Sequence, residues 1–355
     1  MIMKILHTAD LHLRTEGDDR WEALTAVVKI GKKEKIDALV IAGDLFDRGI
    51  DAERLRAAVR PVFSGTGFPV VIMPGNHDRD SFRAGDFFGA DAAILSDIGT
   101  PLNLGDVSLV GIPFEPGDRE RVLARLHDLG GKLDPDRVNI LVYHGELIDT
   151  FFSRTDFGDE GADRYMPARL SWFADLGLSY VLGGHFHSTF TIRTFGDGGF
   201  FVYPGSPVSI TKKETGRRSV NLFETGSAPV QLYLDTAHYV DEEIICDPFS
   251  DRHPKDLVAE RLEGLHPRAA ALISVRGFID GARLGTNESS LLEEIKKITR
   301  DRGVVDEYSV RDVSSILADD LFSAFEKRLS AQALDDEERA RITRMVIEAM
   351  MEVGR

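Results

Sequence analysis

Short aliphatic or β-branched runs alternate with stretches of helical spacing through the first half of the chain. MKILH is followed by a helical pattern around residues 20–34, then IDALVIA, a second helical pattern over 51–63, and PVVIM. Apolar runs of strand length separated by helices are the grammar of βαβ units and a mainly parallel sheet. Further strands are expected at VSLVGI, VNILVY, SYVLG, GFFVY and SVNLFE, with helices near 118–129 and 167–176. From about residue 197 the pattern turns mainly β. Residues 150–165, TFFSRTDFGDEGADRY, carry neither period and read as a long loop, either a substrate-facing lid or a surface excursion.

The character changes after LYLDT at 232–236. A helix over 255–264, the strand AALISVRGF, a helix over 288–302 and the strand DEYSVRDVS suffice for a small separate α/β domain. In the tail from Asp319, Asp335 and Glu338 have capping-box spacing, and Ile342, Met345, Val346, Ala349, Met350 and Val353 follow at helical spacing. That apolar face either packs on its own domain or docks on a partner. The expected division is 1–237, 238–314 and 315–355.

Composition narrows the chemistry. With 355 residues, 43% of them hydrophobic and 29% charged, the chain is globular, with one large domain and a smaller part. The single cysteine, Cys246, excludes intrachain disulfides and cysteine-based metal clusters, so metal ligands must be His, Asp, Glu or Asn. No apolar run approaches membrane-spanning length, and Lys4, His7, Asp10 and His12 interrupt the first one, so we expect a cytoplasmic chain without membrane contact. A net charge of −16 argues against general affinity for nucleic acid. Two basic clusters qualify that argument. Lys29, Lys32, Lys33 and Lys35 suit a solvated helix end, whereas Lys212, Lys213, Arg217 and Arg218 fall in an expected hairpin tip, as phosphate contacts or as a plain solvated turn.

Polar groups recur just past the apolar strands. Asp10 and His12 follow MKILH, Asp44 and Asp47 follow ALVIA, and Asn76, His77 and Asp78 follow VVIM; His144 follows NILVY, and His185 and His187 follow YVLGG. Each group alone has an ordinary explanation as a turn, a cap or a core histidine. Together they place metal-competent donors after five strands, and functional residues of open α/β sheets gather at carboxyl ends of strands. So many donors exceed one tetrahedral ion and suit two ions sharing a bridging carboxylate, for which Asp44 is the natural candidate.

D-x-H, GDLFD, GNHD, a single histidine after a strand and GHFH, in this order, resemble the calcineurin-like metallophosphoesterase superfamily over about the first 235 residues. The resemblance implies an α/β fold, an αββα sandwich, with one ion held by Asp10, His12, Asp44 and His187 and a second by Asp44, Asn76, His144 and His185. It further implies that Phe186 faces away to pack, that His77 sits over the phosphate, and that Asp47 pairs with His77. Arg48 is a candidate phosphate contact.

TADLHL, AGDLFDRG, PVVIMPGNHD and PGSP are most similar to SbcD-type DNA double-strand-break repair nucleases. That similarity implies metal-assisted DNA hydrolysis, 3′ to 5′ exonucleolytic and also endonucleolytic, with a small capping domain and a C-terminal helix-loop-helix that grips an SbcC-type ABC ATPase. It also implies a homodimer and two divalent ions, with manganese the family expectation and iron or zinc alternatives; the mixed N/O donors suit these better than magnesium. Many archaeal and eukaryotic members carry histidine where this chain has Asp47, so their leaving-group chemistry is not carried over. A small-molecule phosphodiesterase or phosphatase on the same scaffold, and a non-catalytic scaffold binding DNA ends or the ATPase, are the alternatives.

Overall fold

The computed structural model describes residues 2–83, 85–97, 100–117, 119–149 and 165–353. All but the last residue of the loop expected at 150–165 lies outside the described residues. The chain divides into two compact units, Met1–Tyr239 and Val240–Arg355.

In the first unit, β1 (Lys4–Thr8), α1 (Asp19–Glu34), β2 (Ala38–Ala42), α2 (Gly49–Val62), β3 (Val70–Met73) and β4 (Ala92–Ile94) follow one another. They are succeeded by β5 (Leu102–Leu104), β6 (Val107–Ile112), α3 (Arg119–Gly130), β7 (Val138–His144) and β8 (Tyr180–Gly184). The unit ends with β9 (Thr191–Phe195), β10 (Gly199–Tyr203), β11 (Ser219–Glu224) and β12 (Val230–Tyr233). One sheet has the order β12-β11-β1-β2-β3-β4 and the other β5-β6-β7-β8-β10-β9. β1 through β4 are parallel, as are β6, β7, β8 and β10, so their carboxyl ends share an edge within each sheet.

Strict alternation assigns each strand residue to one of two cores. Ile5, Val40, Ala42, Val71 and Met73 of the first sheet meet Val107, Leu109, Ile140 and Val142 of the second between the sheets. Their neighbours Leu6, Leu39, Ile41, Val70 and Ile72 face outward under Leu24 and Val27 of α1 and Leu55 and Val59 of α2. Leu141 and Val181 face the other way, under Val122 and Leu126 of α3. Strands buried on both faces read as continuous apolar runs, which is why ALVIA and VNILVY show no polar alternation.

Two expectations change. The helix near 167–176 is only a 3₁₀ turn at Leu170–Phe173, bounded by Pro167 and Gly177, with the Asp149 carboxylate accepting the Leu170 N–H at 3.1 Å. The segment at 211–218 is not a hairpin tip, because β10 and β11 belong to different sheets and the intervening chain crosses from one to the other.

The second unit is built on β13 (His238–Cys246), α4 (Pro254–Glu263), β14 (Ala269–Ile279), α5 (Gly281–Leu284), α6 (Glu288–Thr299) and β15 (Gly303–Asp312). Its sheet runs β13-β14-β15, with Ile273, Val258, Leu291 and Ile295 in its core. α7 (Ser314–Leu317), α8 (Asp320–Ser330) and α9 (Asp336–Val353) complete it. The expected capping box forms: Glu338 N–H donates to Asp335 Oδ1 at 2.8 Å, and Asp335 N–H to Glu338 Oε2 at 3.3 Å. The apolar face of α9 is split. Val346, Ile347 and Met350 join Phe322 and Val313 in a small core, while Met345 and Val353 are exposed.

Ile140 is fully buried between the sheets. We expect Ile140→Ala to cost ~2–5 kcal/mol, read as a shift in the urea unfolding curve. A loss well under that range would mean the space between the sheets closes up around the missing atoms.

Candidate metal centre

The loops after β1 and β2 run side by side. Asp10 N–H donates to the Gly43 carbonyl at 3.1 Å, His12 N–H to the Asp44 carbonyl at 2.9 Å, and Asp47 N–H to the Leu13 carbonyl at 3.1 Å. The loop after β3 is tied in by Asp78, whose carboxylate accepts Gly75 N–H at 2.8 Å and Phe46 N–H at 3.0 Å. Burial and the nearby Asp44 charge push the Asp78 carboxyl up to about 7.

From the second sheet, His144 ends β7, and His185 and His187 follow β8. The two edges meet directly. His185 N–H donates to both Asp10 carboxylate oxygens at 3.0 Å, and Asp44 Oδ2 lies 3.2 Å from His144 Nε2. Asn76 Oδ1 is 2.9 Å from the same Nε2, and the Nε2 atoms of His12 and His187 are 3.3 Å apart. The His185 ring lies 5.4 Å from that of His144.

The backbone is bent to allow this. Asp10, His12, Asp44 and His185 have φ of +56°, +47°, +51° and +88°, four of the six positive-φ non-glycine residues among those described. Such conformations cost roughly 1–3 kcal/mol each and persist where surrounding structure imposes them. Room for His144 comes from glycine. A Cβ on Gly43, itself at φ +97°, would fall 1.9 Å from His144 Nδ1, and one on Gly184 would fall 1.9 Å from the Ala42 carbonyl.

Asp10 and Asp44 are both fully buried. Burial raises the Asp10 carboxyl, with the neighbouring histidines opposing it. Burial also opposes ionisation of Asp44, but the neighbouring charge of His144 outweighs it and holds Asp44 below the usual carboxylate range. His144 is correspondingly lifted to about 10: burial lowers it, and Asp44 overrides.

The donor set fits divalent cations. Ligand atoms of Asp10, His12 and His187 lie within 4.8 Å of one another, as do those of His12, Asp44 and His77, and of Asp10, Asp44 and His144. Asp44 Oδ2 is buried without a well-formed hydrogen bond, an acceptor that an ion would satisfy. His144 Nδ1 meets the Ala42 carbonyl at 2.9 Å, which fixes a proton there, so that Nε2 is the nitrogen a cation would bind by displacing its proton.

Several side chains are not where the sequence suggested. His77 Nδ1 meets the main-chain carbonyl of Asp47 at 2.7 Å, while the Asp47 carboxylate lies 2.8 Å from Arg14, 2.9 Å from Arg20 and 3.6 Å from His12 Nδ1. The backbone turn after β2 thus supplies the contact expected of the carboxylate. Arg48 is exposed and pairs with Asp51 at 3.0 Å. Arg217 pairs with Asp235 at 3.2 Å and stacks over Tyr233. Lys212 and Lys213 sit on an exposed turn.

Arg218 is not a surface contact at all. It is buried and donates to the carbonyls of Ser206, Ser188 and His187. Glu214, unsuspected from sequence, is fully buried 3.4 Å from His187 Nδ1. Its carboxyl is held at about 2; burial opposes this, and His187, the Ile210 N–H and Arg218 prevail. The available signal was a lone acid inside the basic run KKETGRR. Phe186 packs into the outer core against Tyr203, 5.3 Å between ring centres.

Gly184→Ala should lower the affinity for Mn²⁺ more than tenfold and reduce the unfolding midpoint, since its Cβ overlaps the Ala42 carbonyl and crowds His144. Calorimetric titration of the metal-stripped chain checks this, and an unchanged isotherm would mean that the sheet edges need not approach so closely.

The calcineurin-like phosphoesterase family model matches residues 3–189, more than half of the chain. The D subunit of nuclease SbcCD from Staphylococcus epidermidis is 24% identical over 251 residues, covering 61% of this chain and 64% of that protein. Its counterpart in Staphylococcus saprophyticus is 26% identical over 252 residues, covering 60% and 63%. The chain thus spans under two thirds of the length of these curated relatives. Among solved structures, a dimetal phosphatase from Danio rerio aligns over 65% of this chain and 98% of its own, with 11% identity and a TM-score of 0.42. With strand-end donors assembled into one buried centre and a family model spanning the segment that carries them, the chain belongs to the calcineurin-like phosphoesterases.

Proposed function

We propose that this chain is a two-metal-dependent DNA nuclease, a 3′ to 5′ exonuclease with endonuclease activity, that works in DNA repair with an SbcC-type ABC ATPase. One observation carries the metal-dependent part: Asp10, His12, Asp44, His144 and His187 converge from two sheets into one buried cluster. The DNA substrate and the ATPase partner rest on the likeness to proteins named as parts of the SbcCD nuclease. In this proposal the large first unit carries the chemistry, the α/β part of the second corresponds to the small capping domain that the resemblance implies, and the helical tail from residue 315 engages the ATPase.

Asp10, His12, Asp44 and His187 would hold one ion, and Asp44, Asn76, His144 and His185 the other, with manganese the first choice and iron or zinc alternatives. Bound ions would supply charge neutralisation at the phosphate and activation of water. His77 donates its Nδ1–H to the Asp47 carbonyl, and as an imidazolium it would give its Nε2 proton to the departing oxygen. Asp47 contributes by fixing the loop: its carboxylate gathers Arg14, Arg20 and His12 around the centre. Exposed Arg48 and the Lys212–Lys213 turn are the proposed contacts to the DNA backbone, with Arg217 beside them and buried Arg218 withdrawn from that role.

The net charge of −16 favours a second reading, a small phosphodiester substrate, and the same assay separates the two. Metal-stripped protein given Mn²⁺ should degrade linear duplex DNA labelled at its 3′ end. His77→Ala should slow this by about 10²–10⁴-fold while leaving Mn²⁺ binding intact. Intact DNA alongside hydrolysis of an aryl phosphodiester would move the substrate to the small-molecule class.

Reversing charge with Lys212→Glu and Lys213→Glu should weaken DNA binding and flatten its salt dependence by about 0.9 in log-log slope per lost phosphate contact. Binding curves at several salt concentrations test this, and an unchanged slope removes the turn from the DNA path.

A further inference from the structure

His12 and His187 present their Nε2 atoms to one point, 3.3 Å apart. An imidazole binds a cation through an unprotonated nitrogen, so each ring must carry its proton on Nδ1. What lies behind Nδ1 therefore decides whether the ring is a ligand. Behind His144 it is a main-chain carbonyl, that of Ala42. Behind His187 it is the carboxylate of Glu214, at 3.4 Å.

Glu214 is held from all sides. Its Oε2 accepts the Ile210 N–H at 2.7 Å and the Ser206 hydroxyl at 3.2 Å, and its Oε1 accepts the Thr211 hydroxyl at 3.2 Å as well as facing His187. Ser206 N–H also donates to the His187 carbonyl at 3.0 Å, and Arg218 donates to that carbonyl from the far end of the same loop. The segment from Ser206 to Arg218 forms a bracket around one histidine, with its acid turned inward and Lys212 and Lys213 turned outward.

We infer that Glu214 is a positioning residue that fixes the Nδ1-protonated tautomer of His187 and thereby sets the affinity of the ion held by Asp10, His12, Asp44 and His187. A carboxylate accepts only, so it tolerates Nδ1–H and excludes the opposite tautomer. Glutamine reverses this preference. With its oxygen claimed by the Ile210 N–H, its NH₂ would face Nδ1, draw the proton to Nε2 and block that ligand. The inference rests on the two-ion reading proposed above.

The test uses the full-length, metal-stripped chain titrated with Mn²⁺, with circular dichroism to verify folding. The wild type should bind two ions. Glu214→Gln should weaken one of them by about 10–100-fold and leave the other within a few-fold. Glu214→Asp, which keeps an acceptor-only group, should recover most of the loss, and Ser206→Ala, which loosens the bracket without touching the imidazole, should leave both affinities in place.

Long-range ¹H–¹⁵N correlation of the metal-free imidazoles gives an independent readout: His187 protonated at Nδ1 in the wild type and in Glu214→Asp, and at Nε2 in Glu214→Gln. Equal isotherms for wild type and Glu214→Gln overturn the inference, as does an equal loss in Ser206→Ala. If Glu214→Gln fails to fold without metal, a His187 of Glu214→Asp protonated at Nε2 overturns it. A wild type that binds no Mn²⁺ would instead remove the two-ion reading itself, and this inference with it.

Discussion

Asp44 and His144 come from different sheets and face each other at 3.2 Å with no exposed surface on either. A buried carboxylate is costly to ionise unless its partner is close and the remaining acceptors are met. His144 provides that partner, and the geometry around it follows. The ring reaches Asp44 only because residues 43 and 184 lack a side chain at the places where a Cβ would overlap the ring or the Ala42 carbonyl. Asp44 faces the ring only because its backbone takes up the left-handed region. The constraint that holds the two sheets together at this edge is the one that assembles the donors, so fold and site are not separable here.

Two kinds of group lie behind three histidines of the cluster. A backbone carbonyl lies behind His144, the Glu214 carboxylate behind His187, and the Asp47 carboxylate, shared with Arg14 and Arg20, near His12. A carbonyl belongs to the strand and changes only if the sheet does. The carboxylates sit on loops and depend on their own supporting contacts. The β1-to-β2 loop pair and the Ser206–Arg218 bracket therefore have a stake in the centre that the strands alone do not have.

Much of this was legible in sequence because both-face burial writes itself as unbroken apolar runs. ALVIA, VVIM and VNILVY locate strands without ambiguity, and the donors immediately past them locate the site. Less legible were elements whose burial is partial. β13, read through HYVDEEIIC, carries three consecutive acids at the edge of a three-stranded sheet, so neither an apolar run nor a strict alternation marks it. The segment at 211–218 looked like a basic turn because composition reports charge and not direction. Nothing in KKETGRR says that Glu214 and Arg218 point inward while their neighbours point outward; that depends on β10 and β11 lying in different sheets. The partner expected for His77 was a side chain, whereas the backbone of the same residue provides the contact.

The net charge of −16 also looks different once the centre is assembled. Asp10 and Asp44 are buried acids whose charge faces histidines and, in the two-ion reading, cations that would offset it at the place where a phosphate approaches. Two divalent ions would cancel a quarter of the total and concentrate positive charge where a phosphate must arrive. The basic cluster at 212–218 is short, and one of its four members, Arg218, is spent on carbonyls inside the bracket. A protein so arranged has little to hold a duplex by general attraction and much to hold a single phosphodiester at one point. Under the DNA reading proposed above, association with a long duplex would come from the ions and from a partner surface.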